Sequence, residues 1–306
     1  MGDMVAALTP ILILILVGFG LKRAGFLPTD AWSGIEKLTY FILLPSLLVH
    51  TLGAQSLVGI PWPAMLLVVS GTLMAAVSVL IFWHQIRSSV SGPTFTSIFQ
   101  GGVRFNTYIS LAVAQAFFGA DGLAMGTVAA GFMIVLINLL CISAFALWGA
   151  AAIRGLKPFV GAVIGNPLIL ACALGWALSL SGIGLPGVTG NILEILGRAA
   201  LPFGLLAVGA ALQPEAVRSH IRPATIASIV QFGLKPLVAA VLISSTGLTG
   251  VPAAALAISL VTPTAPSAYI LARQLGGDAA AMASIITFQT LLAFLVMPVI
   301  VLRILE

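Results

Sequence analysis

Charged residues are scarce in this sequence. Only 7% of its 306 residues are Asp, Glu, Lys or Arg, whereas soluble domains carry about 25%. Hydrophobic residues make up 60% of the chain. This composition excludes a protein with large water-exposed surfaces and predicts an integral membrane protein surrounded by the lipid bilayer. The net charge of +5 is then interpreted as a signal for orientation in the membrane rather than for nucleic acid binding.

Cysteines and clustered metal ligands are also few. The two cysteines, Cys141 and Cys172, lie within apolar runs, so neither a disulfide framework nor a cysteine metal site is expected. No cluster has the spacing of metal ligands, and no nucleophile pairs convincingly with a base. The sequence therefore predicts no cofactor, no metal and no enzyme activity. An intramembrane hydrolase stays open as an alternative that no motif favours.

Ten apolar segments are long enough to cross a bilayer, which takes about 20 residues. The connections between them are short, so no soluble domain fits between any two spans. The predicted spans are about 4–21, 35–53, 63–84, 92–118, 122–149, 158–181, 188–212, 222–246, 250–273 and 279–303.

Basic residues alternate between the connecting loops. They follow the first, third, fifth and seventh spans, and none follows the second, fourth, sixth or eighth. Because basic loops stay in the cytoplasm, the odd-numbered loops are predicted inside the cell and both termini outside the cytoplasm. Arg303, near the C-terminus, is an exception to the pattern. The basic residues of these loops are Lys22, Arg23, Arg87, Arg154, Lys157, Arg218 and Arg222.

The two halves of the chain repeat each other. "PILILILVGFGLKRAGFLP" (10–28) resembles "PLILACALGWALSLSGIGLP" (167–186), and their first prolines are 157 residues apart. The same offset relates "FGADGLAM" to "LGGDAAAM". Each predicted half, 1–150 and 151–306, holds five spans. Because five is an odd number, the second half must be inverted in the membrane, an arrangement typical of secondary transporters.

Two spans are interrupted at matched positions of this repeat. Span nine contains "TPTAPSAY" (262–269), and span four contains "GGVRFNTY" (101–108). Backbone groups freed by a helix break must be satisfied inside the membrane, and paired interruptions of this kind mark the midplane site of a transporter. Ordinary helix kinks are the alternative. The predicted helix-breaking residues are Pro263 and Pro266 in span nine and Gly101 and Gly102 in span four.

The broken ends indicate which charges bind between them. The N-terminal end of a half-helix carries about +0.5 charge and suits an anion, whereas the C-terminal end carries about −0.5 charge. Arg104, at the centre of span four, is the candidate for charge contact with the anion, and a structural counter-charge is the equal alternative. The predicted substrate-binding residues are Arg104, Asn106, Thr107, Tyr108, Thr262, Thr264, Ser267 and Tyr269.

Three other charged residues within spans are interpreted as structural. Lys235 lies at the centre of span eight, where it can stand in for a coupling cation at the C-terminal half-helix ends. Glu194 and Arg198 are one turn apart in span seven and are expected to pair. No Asp or Glu lies at comparable depth, although coupling by sodium or protons commonly uses such carboxylates.

Several segments of the chain resemble the auxin efflux carrier family, whose bacterial members include malonate and other organic-anion carriers. These segments are "FILLPSLLVHTL", "RFNTYISLAVAQAFFG", "LPFGLLAVGAAL", "LKPLVAAVL" and "TPTAPSAYILARQLGGD". The resemblance implies a ten-span fold related to the bile-acid sodium symporters, in which spans four and nine cross as broken helices. It also implies a scaffold of spans one, two, six and seven, often dimeric, and a moving transport unit of the remaining spans.

These observations predict an all-α carrier with two inverted five-helix repeats and elevator-type alternating access. Its substrate is predicted to be a small organic anion such as a mono- or dicarboxylate. A bacterial inner-membrane location and a homodimer through spans one, two, six and seven are expected. The alternatives are a sodium- or proton-coupled symporter of the same fold, a passive channel and a membrane receptor.

Overall fold

The computed structural model of the protein describes residues 2–55, 59–86, 89–150, 160–161 and 164–305. Within these residues every regular element is helical and none is a strand, which confirms the predicted all-α class. Six helical segments of this part of the chain are long and apolar enough to cross a membrane. They are Thr29–Ala54, Trp62–Ile86, Gly92–Trp148, Val188–Ala210, Ile221–Thr246 and Ala279–Val301.

The helices of the described residues are numbered here in chain order. The first half contains α1 (Gly2–Arg23), α2 (Thr29–Leu38), α3 (Leu44–Ala54), α4 (Trp62–Ile86), α5 (Gly92–Val103) and α6 (Thr107–Trp148). The second half contains α7 (Pro167–Leu180), α8 (Val188–Ala210), α9 (Pro214–Ser219), α10 (Ile221–Ile229), α11 (Lys235–Thr246), α12 (Gly250–Leu260), α13 (Ser267–Leu275) and α14 (Ala279–Leu305).

Helix α6 is a hairpin of two helices. A straight helix of its 42 residues would reach about 63 Å, roughly twice the thickness of the hydrocarbon core. Gly119 interrupts it with a φ of 59° and a ψ of −138°, a conformation that favours glycine. The chain then folds back, because a Cβ atom added to Gly126 would lie 3.2 Å from the Cβ of Ala114. The two arms of α6 therefore pack against each other.

Two π-helical turns let prolines follow inside continuous helices. Pro45 comes after the turn Thr39–Leu43, and Pro236 comes after the turn Val230–Leu234. Proline lacks an N–H group and crowds the carbonyl of the preceding turn, and the wider π turn accommodates both effects. The second turn matters for the site because it leads directly into Lys235.

The helices pack in two groups. In one group α1 packs on α8, and α3 packs on both α7 and α8. Gly18 lies against the backbone of Leu206, and Gly209 against that of Ile15, so α1 and α8 approach closely through small residues. In the other group α4 packs on α11, α6 on α12, and α10 on α5 and α14. Helix α6 contacts both groups.

Some predictions fall outside the described residues. The basic loop residues Arg87, Arg154 and Lys157 do so, and so does the junction of the two predicted halves between 150 and 151. The basic-loop pattern and the domain boundary therefore remain predictions.

Candidate functional site

The first helix break separates α5 from α6. Helix α5 ends at Val103, and Arg104 has extended backbone with a φ of −71° and a ψ of 163°. Asn106 begins α6 as its N-cap, because its Oδ1 accepts hydrogen bonds from the N–H groups of Tyr108 at 3.1 Å and Ile109 at 3.2 Å. The short polar side chain of Asn106 thus ends the break and starts the next helix.

Gly101 and Gly102 do not break the helix as the sequence predicted. Both lie inside the last turn of α5. A Cβ atom at Gly101 would lie 2.7 Å from that of Ala227, and one at Gly102 would lie 2.8 Å from a methyl group of Leu80. These glycines therefore allow neighbouring helices to approach, and the break follows them at 104–106.

The second helix break separates α12 from α13. Helix α12 ends at Leu260 and α13 begins at Ser267, so both predicted prolines, Pro263 and Pro266, lie between them. The N–H group of Thr264 cannot bond within a helix here and instead donates to Oε1 of Gln289 at 3.0 Å. Pro266 occupies the N-cap position of α13, where its missing N–H group leaves no helical bond unmade.

The two breaks touch each other in the protein interior. The N–H group of Asn106 donates to Oγ1 of Thr262 at 3.4 Å, and Oγ1 of Thr264 donates to the carbonyl of Gly101 at 3.2 Å. One turn away, the hydroxyl groups of Ser110 and Ser259 are 2.8 Å apart. The structure therefore brings the predicted residues Asn106, Thr262 and Thr264 together.

Buried amides and one lysine satisfy the carbonyl groups at the breaks. Gln289 donates to the carbonyl of Gly101 at 2.8 Å, and Gln231 donates to the carbonyl of Thr262. Lys235, which is fully buried, donates to the carbonyl of Val103 at 3.4 Å and to Oε1 of Gln231 at 2.9 Å. The Lys235 side chain thus contacts the C-terminal end of α5 and, through Gln231, the end of α12.

Arg104 is a buried cation with neutral partners. Its side chain donates to Oε1 of Gln100 at 3.2 Å and to Oδ1 of Asn138 at 3.4 Å, and the residue is only 7% exposed. Neither ion pair within the described residues includes it. A buried charge is costly unless it is paired, so the guanidinium is ready to receive an anion.

A small cavity of about 30 Å³ lies beside Arg104. A cavity of this volume holds about one water molecule or a similarly small group. The predicted residues Thr107 and Ser267, each the first residue of a half-helix, line it together with Arg104. The amides of Ala268 and Tyr269 bond to carbonyls within their own turn. The cavity thus lies next to two positive helix ends and a guanidinium.

Two larger cavities lie along α8, one at its C-terminal end from residue 207 onward and the other along residues 194–205. One, of about 390 Å³, reaches Pro266 and Tyr269 and is lined by Lys22, Glu36 and Arg273. The other, of about 710 Å³, lies along the first arm of α6. It also contacts Glu194 and Arg198, which form an exposed ion pair at 2.5 Å. We call these the α13 cavity and the α6 cavity.

Tyr108 lies apart from the small cavity. Its ring packs against Gly204 of α8, where no larger side chain fits. Tyr108 and Gly204 therefore form a contact between the two groups of packed helices.

Four uncharged amide residues of the site were not predicted from the sequence, because they carry no charge and break no helix. They occur singly within apolar spans, where a polar residue is itself a signal. They are Gln100, Asn138, Gln231 and Gln289, all buried.

Comparisons with known proteins point to transport. The family model described as membrane transport protein matches residues 3–142 and 152–301. The chain is also 26% identical, over 299 residues, to an uncharacterized transporter of Methanothermobacter thermautotrophicus. That alignment covers 94% of this chain and 94% of the relative.

Proposed function

Because the chain belongs to the membrane transport protein family, we propose that it is a secondary carrier for a small organic anion. Membership of this family also makes it a multi-pass membrane protein, and the family is one of transporters rather than of enzymes. The observation that supports this most is Arg104, a buried guanidinium that bonds to neutral side chains beside a cavity between two half-helix N-termini. Such a site lacks one negative charge, which a carboxylate supplies. The predicted contacts Asn106, Thr107, Thr262, Thr264 and Ser267 surround the same two breaks.

The proposal includes the ten-span inverted repeat. Glycines with positive φ recur at the repeat offset, since Gly25 and Gly182 have φ values of 66° and 70°, and Gly119 and Gly276 have values of 59° and 75°. The hairpin at Gly119 divides the longest helical segment into two spans of suitable length. Both breaks also occur at the repeat offset, at Arg104 and Val261.

Alternating access is the proposed mechanism. The α13 cavity and the α6 cavity both lie between α8 and a half-helix, the first at the C-terminal end of α8 and the second along residues 194–205. Sliding the unit that contains α5, α6, α12 and α13 along α8 would connect the small cavity to each side in turn. The proposed scaffold consists of helices α1, α3, α7 and α8, through which the protein forms a homodimer. The same proposal includes a bacterial inner-membrane location with both termini outside the cytoplasm.

Counterflow in proteoliposomes tests the function. Vesicles loaded with unlabelled acetate, malonate or succinate should accumulate the same labelled anion transiently, and the initial rate should saturate. Protein-free vesicles and protein inactivated by heat are the controls. Flux that rises linearly with concentration and gives no counterflow would favour a channel. A substrate-induced thermal shift without any flux would favour a receptor.

A further inference from the structure

A cation is required where the C-terminal ends of two half-helices meet. Each such end carries about −0.5 charge, and α5 and α12 both end at the crossing of the breaks. The carbonyls there have neutral donors from Gln289, Thr264 and Gln231. These donors satisfy hydrogen bonds but add no net charge.

The Lys235 ammonium is the positive group at this position. It bonds to the carbonyl oxygen of Val103 and to Oε1 of Gln231, a pair of neutral oxygen ligands of the kind that also binds small metal cations. Gln231 links it to the second break through the carbonyl of Thr262. No carboxylate of the described residues forms an ion pair with it.

Resting on the proposed carrier function, we propose that Lys235 is a built-in replacement for a coupling cation, so that substrate binding and transport need no sodium. A carrier that uses a dissociable cation assembles its breaks only when the cation binds. Here the amino group is covalently attached to α11 and remains at the breaks in every step of the cycle. Lys235 is therefore a positioning residue, which acts on the anion site by holding the two breaks together.

Substitutions of Lys235 distinguish this role from simple packing. Lys235→Met keeps much of the side-chain length and removes the charge, whereas Lys235→Ala also leaves space beside the two oxygen ligands. Lys37→Met makes the first change at an exposed position and serves as the matched control. If Lys235 only filled space, Lys235→Met would be tolerated and no cation would restore Lys235→Ala.

The experiment measures thermal unfolding and anion counterflow in sodium, ammonium, methylammonium and choline chloride at equal ionic strength. For the wild-type protein, we expect the same unfolding temperature and less than a twofold difference in counterflow among the four salts. Lys235→Met and Lys235→Ala should unfold at a temperature lower by about 5 °C or more. For Lys235→Ala, sodium, ammonium or methylammonium should recover at least half of this loss, whereas the larger choline should not.

Two results would overturn the inference. One is a wild-type protein that needs sodium for counterflow or gains stability from it, which decides the question even if the variants fail to fold. The other is a Lys235→Met variant as stable as Lys37→Met together with no cation response in Lys235→Ala. If no anion is transported under any condition, the carrier function fails, but the salt dependence of unfolding still tests the role of Lys235.

Discussion

At the scale of single residues, the partners of Arg104 bear on whether it is the proposed anion ligand or a structural charge. A structural arginine in a membrane interior is expected to pair with a carboxylate or with helix-end carbonyls. Arg104 instead donates to two amide side chains, Gln100 and Asn138. Lys235 donates to the neighbouring carbonyl of Val103, which is consistent with the proposal that the charge of Arg104 serves a ligand.

Replacing Arg104 by Gln should therefore weaken anion binding without harming the fold. We expect the dissociation constant of a monoanion to rise at least tenfold, which corresponds to about 1.4 kcal/mol of binding free energy. The dissociation constant of a dianion should rise more, because the substitution removes charge rather than shape. The unfolding temperature without ligand should stay equal or rise, since an unpaired buried charge is lost. Titration by calorimetry and thermal unfolding measure both effects, with Arg23→Gln on the exposed surface as the control. A lower unfolding temperature with unchanged binding would make Arg104 structural.

Asn106 combines a capping role with a buried amide group beside the proposed anion site. Its Oδ1 caps α6, and its buried Nδ2 has no hydrogen-bond partner among the described residues. Asn106→Asp keeps a capping oxygen but brings a negative charge to the break. For Asn106→Asp we expect near-normal membrane abundance and at least tenfold weaker anion binding. Asn106→Ser provides a neutral cap at a stability cost of about 1 kcal/mol or less, so it should bind the anion within about threefold of wild type. Equal binding by both variants would place the anion away from this cap.

At the scale of helices, the sequence predicted the two breaks with unequal success. The break in span nine was predicted correctly from Pro263 and Pro266, because proline prevents helical hydrogen bonding by its own covalent structure. The break in span four was predicted within 101–108 and occurs at 104–106, so the stretch was correct but Gly101 and Gly102 are not the residues that break the helix. Glycine permits a break but also permits close packing, and the neighbours Ala227 and Leu80 that favour packing are distant in sequence.

The partners of the breaks could not be predicted for a related reason. Gln289 and Gln231 lie on other helices and reach the break backbones only in the folded chain. An isolated amide in an apolar span indicates that a partner exists but not which group it is. The candidate residues around Asn106 and Thr262 were identified because the repeat aligned them, and their binding role remains a prediction.

Removing both prolines tests whether the break in span nine serves the site. In Pro263→Ala with Pro266→Ala, we expect α12 and α13 to approach one continuous helix, since alanine favours the helix by about 3 kcal/mol over proline at an interior position. The amide of Thr264 would then leave Gln289, and the N-terminal end at Ser267 would disappear. Counterflow should fall at least tenfold at equal membrane abundance. Pro298→Ala, in the continuous helix α14, is the matched control. Normal counterflow in the double variant would show that the break is only a kink.

At the scale of the whole molecule, α6 and α8 form the contact along which the proposed sliding takes place. Tyr108 of α6 packs on Gly204 of α8, and the absence of a side chain at 204 makes room for its ring. Within the proposed scaffold the packing is tighter, because the backbones of α1 and α8 touch at Gly18 and Gly209. The proposed elevator movement requires the α6–α8 contact to change while the α1–α8 contact stays fixed.

Cross-linking this contact should therefore stop transport. Cysteines introduced as Gly204→Cys with Tyr108→Cys face each other, and the loss of the ring makes room for the new side chain. After the cysteines are bridged by mercuric ion or mild oxidation, we expect counterflow to fall at least tenfold and to return on reduction. The thermal shift caused by an anion should persist, because in the proposed mechanism the binding site moves as a unit. Gly53→Cys with Leu178→Cys is the control within the proposed scaffold, where the two Cβ atoms would be 3.6 Å apart, within the range for a disulfide. That cross-link should leave counterflow unchanged, since α3 and α7 need not move against each other. Continued counterflow with α6 fixed to α8 would instead require the anion to cross without any sliding of the two groups.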